Sequence, residues 1–539
     1  MADGREILFL RSGPRDFTRA LYRFDLETGE EEVLLTAEQI LEGGEETLSS
    51  EALERRERLR LRARGITSYQ LSPDASQILV PLSGELFLVN RSTKEVTELS
   101  VDAGYPNDPK FSPDGRQIAY VVGGDLYVLN LETGVEQRLT YSATEEISNG
   151  IPGFIAQEEM RRFSGYWWSP DSSRIAYEQT DISPVERLYS FNPMQPEQSP
   201  EESPFPRAGT ENAIVRLGWV PVEGGETLWI DWNRDAYPYL ATVRWSQNAP
   251  LTLVLQNRSQ TELAVMTADS ELAVQIYSEY DQDLAPLHFE EDDIWLNIDQ
   301  QMPRWLEDGS GFFWTTEREG YRQLELRNDD GLLRHVLTSE ESGYTGLNRV
   351  DESASTLWFQ GGESPIESHV YRLTWGESGT ELVERVSQGR GLHHITMGEG
   401  AGEIWINSFS PINGEQQQEV TVSGESVGQI DSVAEVAPFL PQPEFVEVGE
   451  RQFHAVVIRP RDFDSTLQYP VIVSVYGGPT AQVVRASATR YRYQQWLADQ
   501  GFIVVSMDGR GTPGRGRAWE RVIWGNFIAV PLGDQVEIL

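Results

Sequence analysis

One unit recurs along this chain and constrains its fold more than any other feature: an aromatic or aliphatic residue, a Ser-Pro-Asp-Gly-like turn, then an apolar strand. Clear copies are LSPDASQILV (71–80), FSPDGRQIAY (111–120) and WSPDSSRIAY (168–177). Weaker copies are WSQNAPLTLV, WLEDGSGFFW, VDESASTLWF and MGEGAGEIWI, and MADGREILFL at the start is the first in chain order. Their turn anchors are Asp3, Asp74, Asp114, Asp171, Asn248, Asp308, Glu352 and Glu399. Each copy has the chemistry of a β-hairpin: Pro presets φ, Asp bonds the backbone two residues on, and Gly accepts positive φ. A second turn follows in DLETGEEEVLLT and NLETGVEQRLT, where Thr-Gly separates two strand-like runs. Four short strands in every ~40 to 50 residues cannot bury their faces alone and must stack radially on one another. The expectation is a mainly β fold, an eight-bladed β-propeller over residues 1–440; a β-solenoid or unrelated hairpins are the competing arrangement.

The anchors are unevenly spaced, so some blades carry insertions. Residues 37–64, AEQILEGGEETLSSEALERRERLRLRAR, read as an exposed helical excursion laced with acid-base pairs at helical spacing. Residues 192–210 are Pro-rich, and their X-Pro steps predict extended chain. A third insertion holds Glu158 and Glu159, just ahead of Tyr166, Trp167 and Trp168. Adjacent glutamates are common in this chain, as at Glu45-Glu46 and Glu290-Glu291, so the pair alone carries no functional signal.

Near residue 440 the pattern changes. YPVIVSVYGGP (469–479) is a continuous apolar run ending in glycines, the pattern of a strand buried on both faces of a parallel sheet. RYRYQQWLADQG has helical spacing with a Gly stop, and GFIVVSMDGRG reads as a second buried strand. Strand, helix, strand is a crossover unit, so residues 441–539 are expected to begin an α/β domain.

Composition narrows the partners. Against 44 basic residues stand 85 acidic ones, a formal charge of -41, which repels phosphate backbones and anionic headgroups and disfavours nucleic acid and membranes. Only Lys94 and Lys110 are lysines, and an acid-rich, lysine-poor surface suits a salty medium. With no cysteine, thiol nucleophiles, thiolate metal sites and disulfides are excluded. The apolar run Ile7–Leu10 is too short for a signal peptide core, and ~18 apolar residues never run together, so the expectation is a soluble, cytoplasmic chain.

FIAQEEMRRFSGYWWSPDSSRIAY, FPRAGTEN, TEREGYRQLEL, PVIVSVYGGP and VVSMDGRGTPGRGRAWERVIWGN together resemble, in order and over nearly the whole chain, the dipeptidyl peptidase IV family of serine peptidases, in the prolyl oligopeptidase class. The resemblance implies an eight-bladed propeller capping an α/β-hydrolase domain, a peptide substrate with a free N-terminus, no cofactor, and pairing into homodimers in full-length relatives. It assigns Glu158 and Glu159 to the peptide's α-ammonium, a task two carboxylates suit because they accept its three N–H bonds. Arg162 matches the family's arginine there and would orient the pair, whereas Arg161 stands where an acid is expected. Tyr476 takes the part of an oxyanion donor. Trp167 and Trp168 are expected to pack the blade.

An α/β-hydrolase nucleophile sits in Gly-x-Ser-x-Gly, followed by Asp and His. GESVG, Gly424–Gly428, has that spacing but precedes the hydrolase strands and reads as a hairpin turn of the last blade. His288, His335, His369, His393 and His394 lie in the propeller, and His454 in an early hydrolase strand, so none suits the base. His393 and His394 are adjacent, face opposite sides of a strand and make no metal site. Two readings stay open: the N-terminal part of a serine dipeptidyl peptidase interrupted before its nucleophile, or a non-catalytic propeller that binds peptide N-termini or another protein.

Overall fold

The computed structural model describes residues 4–44, 46–48, 53, 56–268, 286–398 and 403–539. From Glu6 to Gln429 they form eight sheets of four strands in chain order, the fourth with its first strand split in two, and a two-stranded hairpin, Arg187–Ser190 with Glu201–Pro204, standing beside it. This is the blade series of an eight-bladed β-propeller. Six of the anchor turns lie among the described residues, each between the first and second strand of its sheet; Asp3 and Glu399 lie outside them.

The turn chemistry is local. Asp74 accepts hydrogen bonds from Ser72 Oγ and the Ser76 backbone, and these bonds hold its carboxyl at about 2, below the usual carboxylate range. The next residue takes positive φ in four of these turns: Ala75 at 56°, Gly115 at 71°, Ser172 at 61° and Gly309 at 74°. Neighbouring turns also dock on one another. Ser172 Oγ accepts from the Asp114 N–H at 3.1 Å, Asn248 Nδ2 donates to the Glu307 carbonyl at 2.8 Å, and a Cβ on Gly309 would lie 2.1 Å from the Asn248 carbonyl oxygen.

Strand alternation explains the stacking. In Gln117–Val122, Ile118 and Tyr120 join a buried cluster with Leu79 and Leu86 of the preceding sheet, while Ala119 and Val121 join one with Tyr166, Ile175 and Tyr177 of the following sheet. Opposite faces of one strand thus bind two neighbours, as a period of two requires. Ala176 passes the pattern on to Leu240, Val243 and Leu253 of the fifth sheet.

The chain divides into two compact units, one comprising Leu8–Arg23 and Glu32–Gly309, the other Gly4–Ile7, Phe24–Glu31 and Ser310–Leu539. Within the second, the first sheet meets the eighth: a Cβ on Gly428 would touch the Phe24 ring at 2.8 Å, and the Asp431 N–H donates to Glu31 Oε1 at 3.2 Å.

A ninth, mixed sheet follows, with strands Glu444–Val448, Phe453–Ile458, Val471–Ser474 and Ile503–Asp508 in the order first, second, fourth, third. Only the last pair is parallel, with the helix Arg492–Ala498 between its strands in sequence. This is the α/β-hydrolase part of the fold. Val456, Ile458, Val484, Tyr491 and Val504 form its core. Val471–Ser474 pairs among the described residues with Ile503–Asp508, and Val471 and Val475 are exposed there, which differs from the expected burial on both faces. A buried strand needs neighbours and covered faces on both sides, and the apolar run by itself does not report them.

A second correction concerns 37–64. Helix forms over Ala37–Ile40 and again at residues 56–58, but 41–44 and 46–48 are not helical; residues 45, 49–52 and 54–55 lie outside the description. Gly43 and Gly44 interrupt the helical pattern. Among the described residues, no helix is long and apolar enough to cross a membrane.

Candidate functional site

Glu158 and Glu159 sit on an excursion from the fourth sheet. Its first strand stops at Asn149 and resumes at Tyr166, and both halves pair with Arg174–Asp181, so residues 150–165 leave the sheet and return to the same partner. The neck is closed by the Gly150 N–H donating to the Glu178 carbonyl at 2.7 Å and the Glu178 N–H to the Gly165 carbonyl at 2.8 Å. Two glycines make this crossing possible: Gly150 has φ of 77°, and a Cβ on Gly165 would lie 2.4 Å from the Gly150 carbonyl oxygen.

Within the loop, Phe154–Glu158 form a short helix with Gly153 at its N-cap. Too short to persist alone, it depends on its anchors. Glu178, fully buried in the neighbouring strand, accepts the Gly153 N–H at 3.0 Å and Thr180 Oγ1 at 2.9 Å, and pairs with buried Arg162. Arg162 also donates to the Leu240 carbonyl at 3.0 Å and the Ser164 carbonyl at 2.9 Å. One ion pair therefore grips the loop at both ends. The chain leaves the helix through Arg161, exposed and left-handed at φ 55°, which lets the Arg162 N–H reach the Ala156 carbonyl.

Glu158 is half-buried and Glu159, the C-cap, is exposed. Arg162 is held by Glu178, Leu240 and Ser164, and its guanidinium stands over the Trp167 ring at 5.7 Å. Arginines from the 37–64 insertion lie closer. Arg60 Nη2 is 3.8 Å from Glu158 Oε2, and Arg58 donates to Gln157 Oε1 at 3.4 Å and stands over the Phe154 ring. Sequence reasoning missed these two; the signal was a run of arginines, RRERLRLRAR, in a chain with nearly twice as many acids as bases.

The aromatic residues pack. Tyr166 is buried and its hydroxyl donates to the Ala119 carbonyl at 2.8 Å; Lys110 Nζ stands over its ring, pairs with Asp108 at 3.0 Å and donates to Ser164 Oγ. Trp168 joins the cluster between the third and fourth sheets, and Trp167 packs against the one shared with the fifth.

In the second unit, Tyr476 follows the strand Val471–Ser474, half-buried, with its hydroxyl 3.0 Å from Thr480 Oγ1. Beside the parallel pair, Asp508 accepts the Val483 and Val484 N–H groups at 2.9 and 3.1 Å, and burial pushes its carboxyl up to about 6. Ser426 lies in an exposed hairpin strand of the eighth sheet opposite Thr421, consistent with rejecting GESVG as a nucleophile turn. His393 is buried and His394 exposed. No group of three or more metal-ligating side chains occurs among the described residues.

The model for the dipeptidyl peptidase IV (DPP IV) N-terminal region matches residues 72–412, and that for the prolyl oligopeptidase family matches 488–539. Dipeptidyl peptidase 8 of Mus musculus is 25% identical over 496 residues, covering 76% of this chain and 55% of that protein. A probable dipeptidyl-aminopeptidase B of Emericella nidulans is 27% identical over 438 residues, covering 74% and 47%. The chain thus spans about half the length of the curated relatives it matches. The crystal structure of Porphyromonas gingivalis dipeptidyl peptidase 4 superposes with a TM-score of 0.80 at 21% identity, over 100% of this chain and 74% of that one.

Proposed function

Because this chain belongs to the dipeptidyl peptidase IV family of serine peptidases, we propose that it supplies the amine-anchoring part of a peptidase that releases N-terminal dipeptides. Residues 1–440 act as the propeller and 441–539 as peptidase-domain sequence. Glu158 and Glu159 grip the substrate's α-ammonium, Arg162 keeps their helix in place through Glu178, and the Tyr476 hydroxyl donates to the oxyanion. Charge-assisted bonds from three ammonium hydrogens to two carboxylates are strong, and a blocked amine leaves the acids without that partner, so cleavage is measured from the free end.

The observation that carries the reading is the mounting of the adjacent acids: they stand on a loop pinched at its neck by glycines and tied by the buried Arg162–Glu178 pair. Such a mount gives carboxylates a fixed position, which length measurement needs. Glu158, Glu159, Arg162 and Tyr476 are positioning groups, which bind a substrate but do not by themselves form an acyl-enzyme.

Titration with a fluorescent tetrapeptide tests this. The free-amine form is expected to bind, and N-acetylation or Glu158→Gln with Glu159→Gln to weaken binding at least tenfold, about the value of one charge-assisted hydrogen bond. Equal binding of the acetylated peptide defeats the proposal. The 539-residue chain is expected not to cleave a dipeptide chromogenic substrate; turnover accompanied by phosphonate labelling at Ser426 would contradict the role given to that hairpin.

A further inference from the structure

Asparagine followed by glycine occurs twice in this chain, at Asn149-Gly150 and Asn413-Gly414. Asparagine is a thermolabile residue, and a following glycine makes it more so, since no Cβ shields the glycine nitrogen and its backbone turns freely. The fold treats the two pairs oppositely. Asn149 is fully buried; its amide donates to Asp125 Oδ1 at 2.8 Å and accepts from Gln179 Nε2 at 2.9 Å, and the Gly150 N–H is engaged by the Glu178 carbonyl at 2.7 Å. Asn413 is exposed, in the turn between Ile404–Pro411 and Gln417–Val422 of the eighth sheet. Among the described residues, neither its side chain nor the Gly414 N–H has a hydrogen-bond partner.

The same turn joins the eighth sheet to the α/β-hydrolase part. Ile412 packs against the core formed by Val456, Val484, Tyr491 and Ala498, and its N–H donates to the Arg390 carbonyl at 3.1 Å. Glu415 pairs with Arg492, the first residue of the helix Arg492–Ala498. Only Asn413 and Gly414 lie between these two anchors. A change in main-chain length there must be absorbed by the packed isoleucine or by the ion pair.

We propose that Asn413-Gly414 is a site of spontaneous deamidation whose isoaspartyl product loosens the hold of the eighth sheet on the helix Arg492–Ala498. The Gly414 nitrogen attacks Cγ of Asn413; the new C–N bond closes a succinimide, the Cγ–Nδ2 bond breaks, and the glycine's proton passes through solvent to the nitrogen that leaves as ammonia. Water then opens the ring. Addition at Cγ gives aspartate, whereas addition at the main-chain carbonyl gives isoaspartate, in which the chain runs through Cβ and Cγ and is longer by a methylene. Either product puts a carboxylate where a neutral amide stood, close in sequence to Glu415. Asn149 is spared because its amide and the Gly150 N–H are both engaged inside the sheet.

Ageing the 539-residue chain in mildly alkaline buffer tests this, with peptide mass spectrometry to read the gain of mass at each asparagine and electron-transfer fragmentation to identify isoaspartate. Asn413 is expected to convert at least about tenfold faster than Asn149, which must wait for local opening of the fold. Hydrogen exchange of the aged chain should be several times faster over 488–498 than in fresh protein, with Gln117–Val122 unchanged. Asn413→Gln keeps an exposed amide but removes the five-membered ring closure, so its aged and fresh samples should exchange alike; Asn413→Ser serves the same purpose without an amide. No mass gain at Asn413, an equal rate at Asn149, isoaspartate at 413 with exchange over 488–498 unaltered, or the same acceleration in the aged variants overturns the proposal.

Discussion

Glu178→Gln isolates what holds the acidic helix. The substitution keeps the shape of the side chain and an oxygen for the Gly153 N–H, but removes the only carboxylate paired with Arg162 among the described residues. Arg162 and Glu178 side chains are 5% and 0% exposed, so water cannot replace the lost partner. Breaking such a pair costs about 3–5 kcal/mol, because one charge remains buried and uncompensated. Since the excursion closes on this pair and on backbone bonds at the neck, the penalty should fall locally on 150–165. At 1.4 kcal/mol per decade, exchange protection of amides there should drop roughly a hundredfold to a few thousandfold. Hydrogen exchange read by mass spectrometry is the assay, with Gln117–Val122 as internal control. Arg162→Met should loosen the same segment, since it leaves the buried Glu178 carboxylate without its cation. A Glu178→Gln drop below tenfold, or one spread evenly over all sheets, refutes the argument.

Other outcomes follow from single features. Gly165→Ala places a Cβ 2.4 Å from the Gly150 carbonyl and should open the neck, with exchange accelerated across 150–165 and the remaining sheets unchanged. Asp508, raised to about 6 by burial, binds a proton more readily folded than unfolded, so its contribution to stability is full below about 4 and lost as pH rises through about 6. Asp508→Asn should flatten that slope in denaturation curves taken from pH 4 to 7; an unchanged slope would show that the carboxyl does not titrate there. With a net charge of -41, the thermal midpoint should climb as sodium chloride rises from about 0.05 M to 1 M, where the screening length falls to roughly 3 Å. A flat response would remove self-repulsion as a determinant of stability.

The blade series was legible because its causes are local. Pro, Asp and Gly set a turn within a few residues, and alternation sorts a strand's faces, so the hairpins at Asp74, Asp114 and Asp171 could be read from ten-residue windows. The crossover after residue 469 was legible for the same reason. What local pattern could not report was neighbourhood. Val471–Ser474 has the sequence of a buried strand, and among the described residues it pairs on one side. The candidate site shows the same limit: the chain alone placed Glu158, Glu159 and Arg162 side by side, but their support comes from Glu178 and Leu240, and Arg58 and Arg60 approach from about a hundred residues away. Turn propensity acts over a few bonds, whereas an ion pair depends only on distance in space, and that distance exists only once the sheets have stacked.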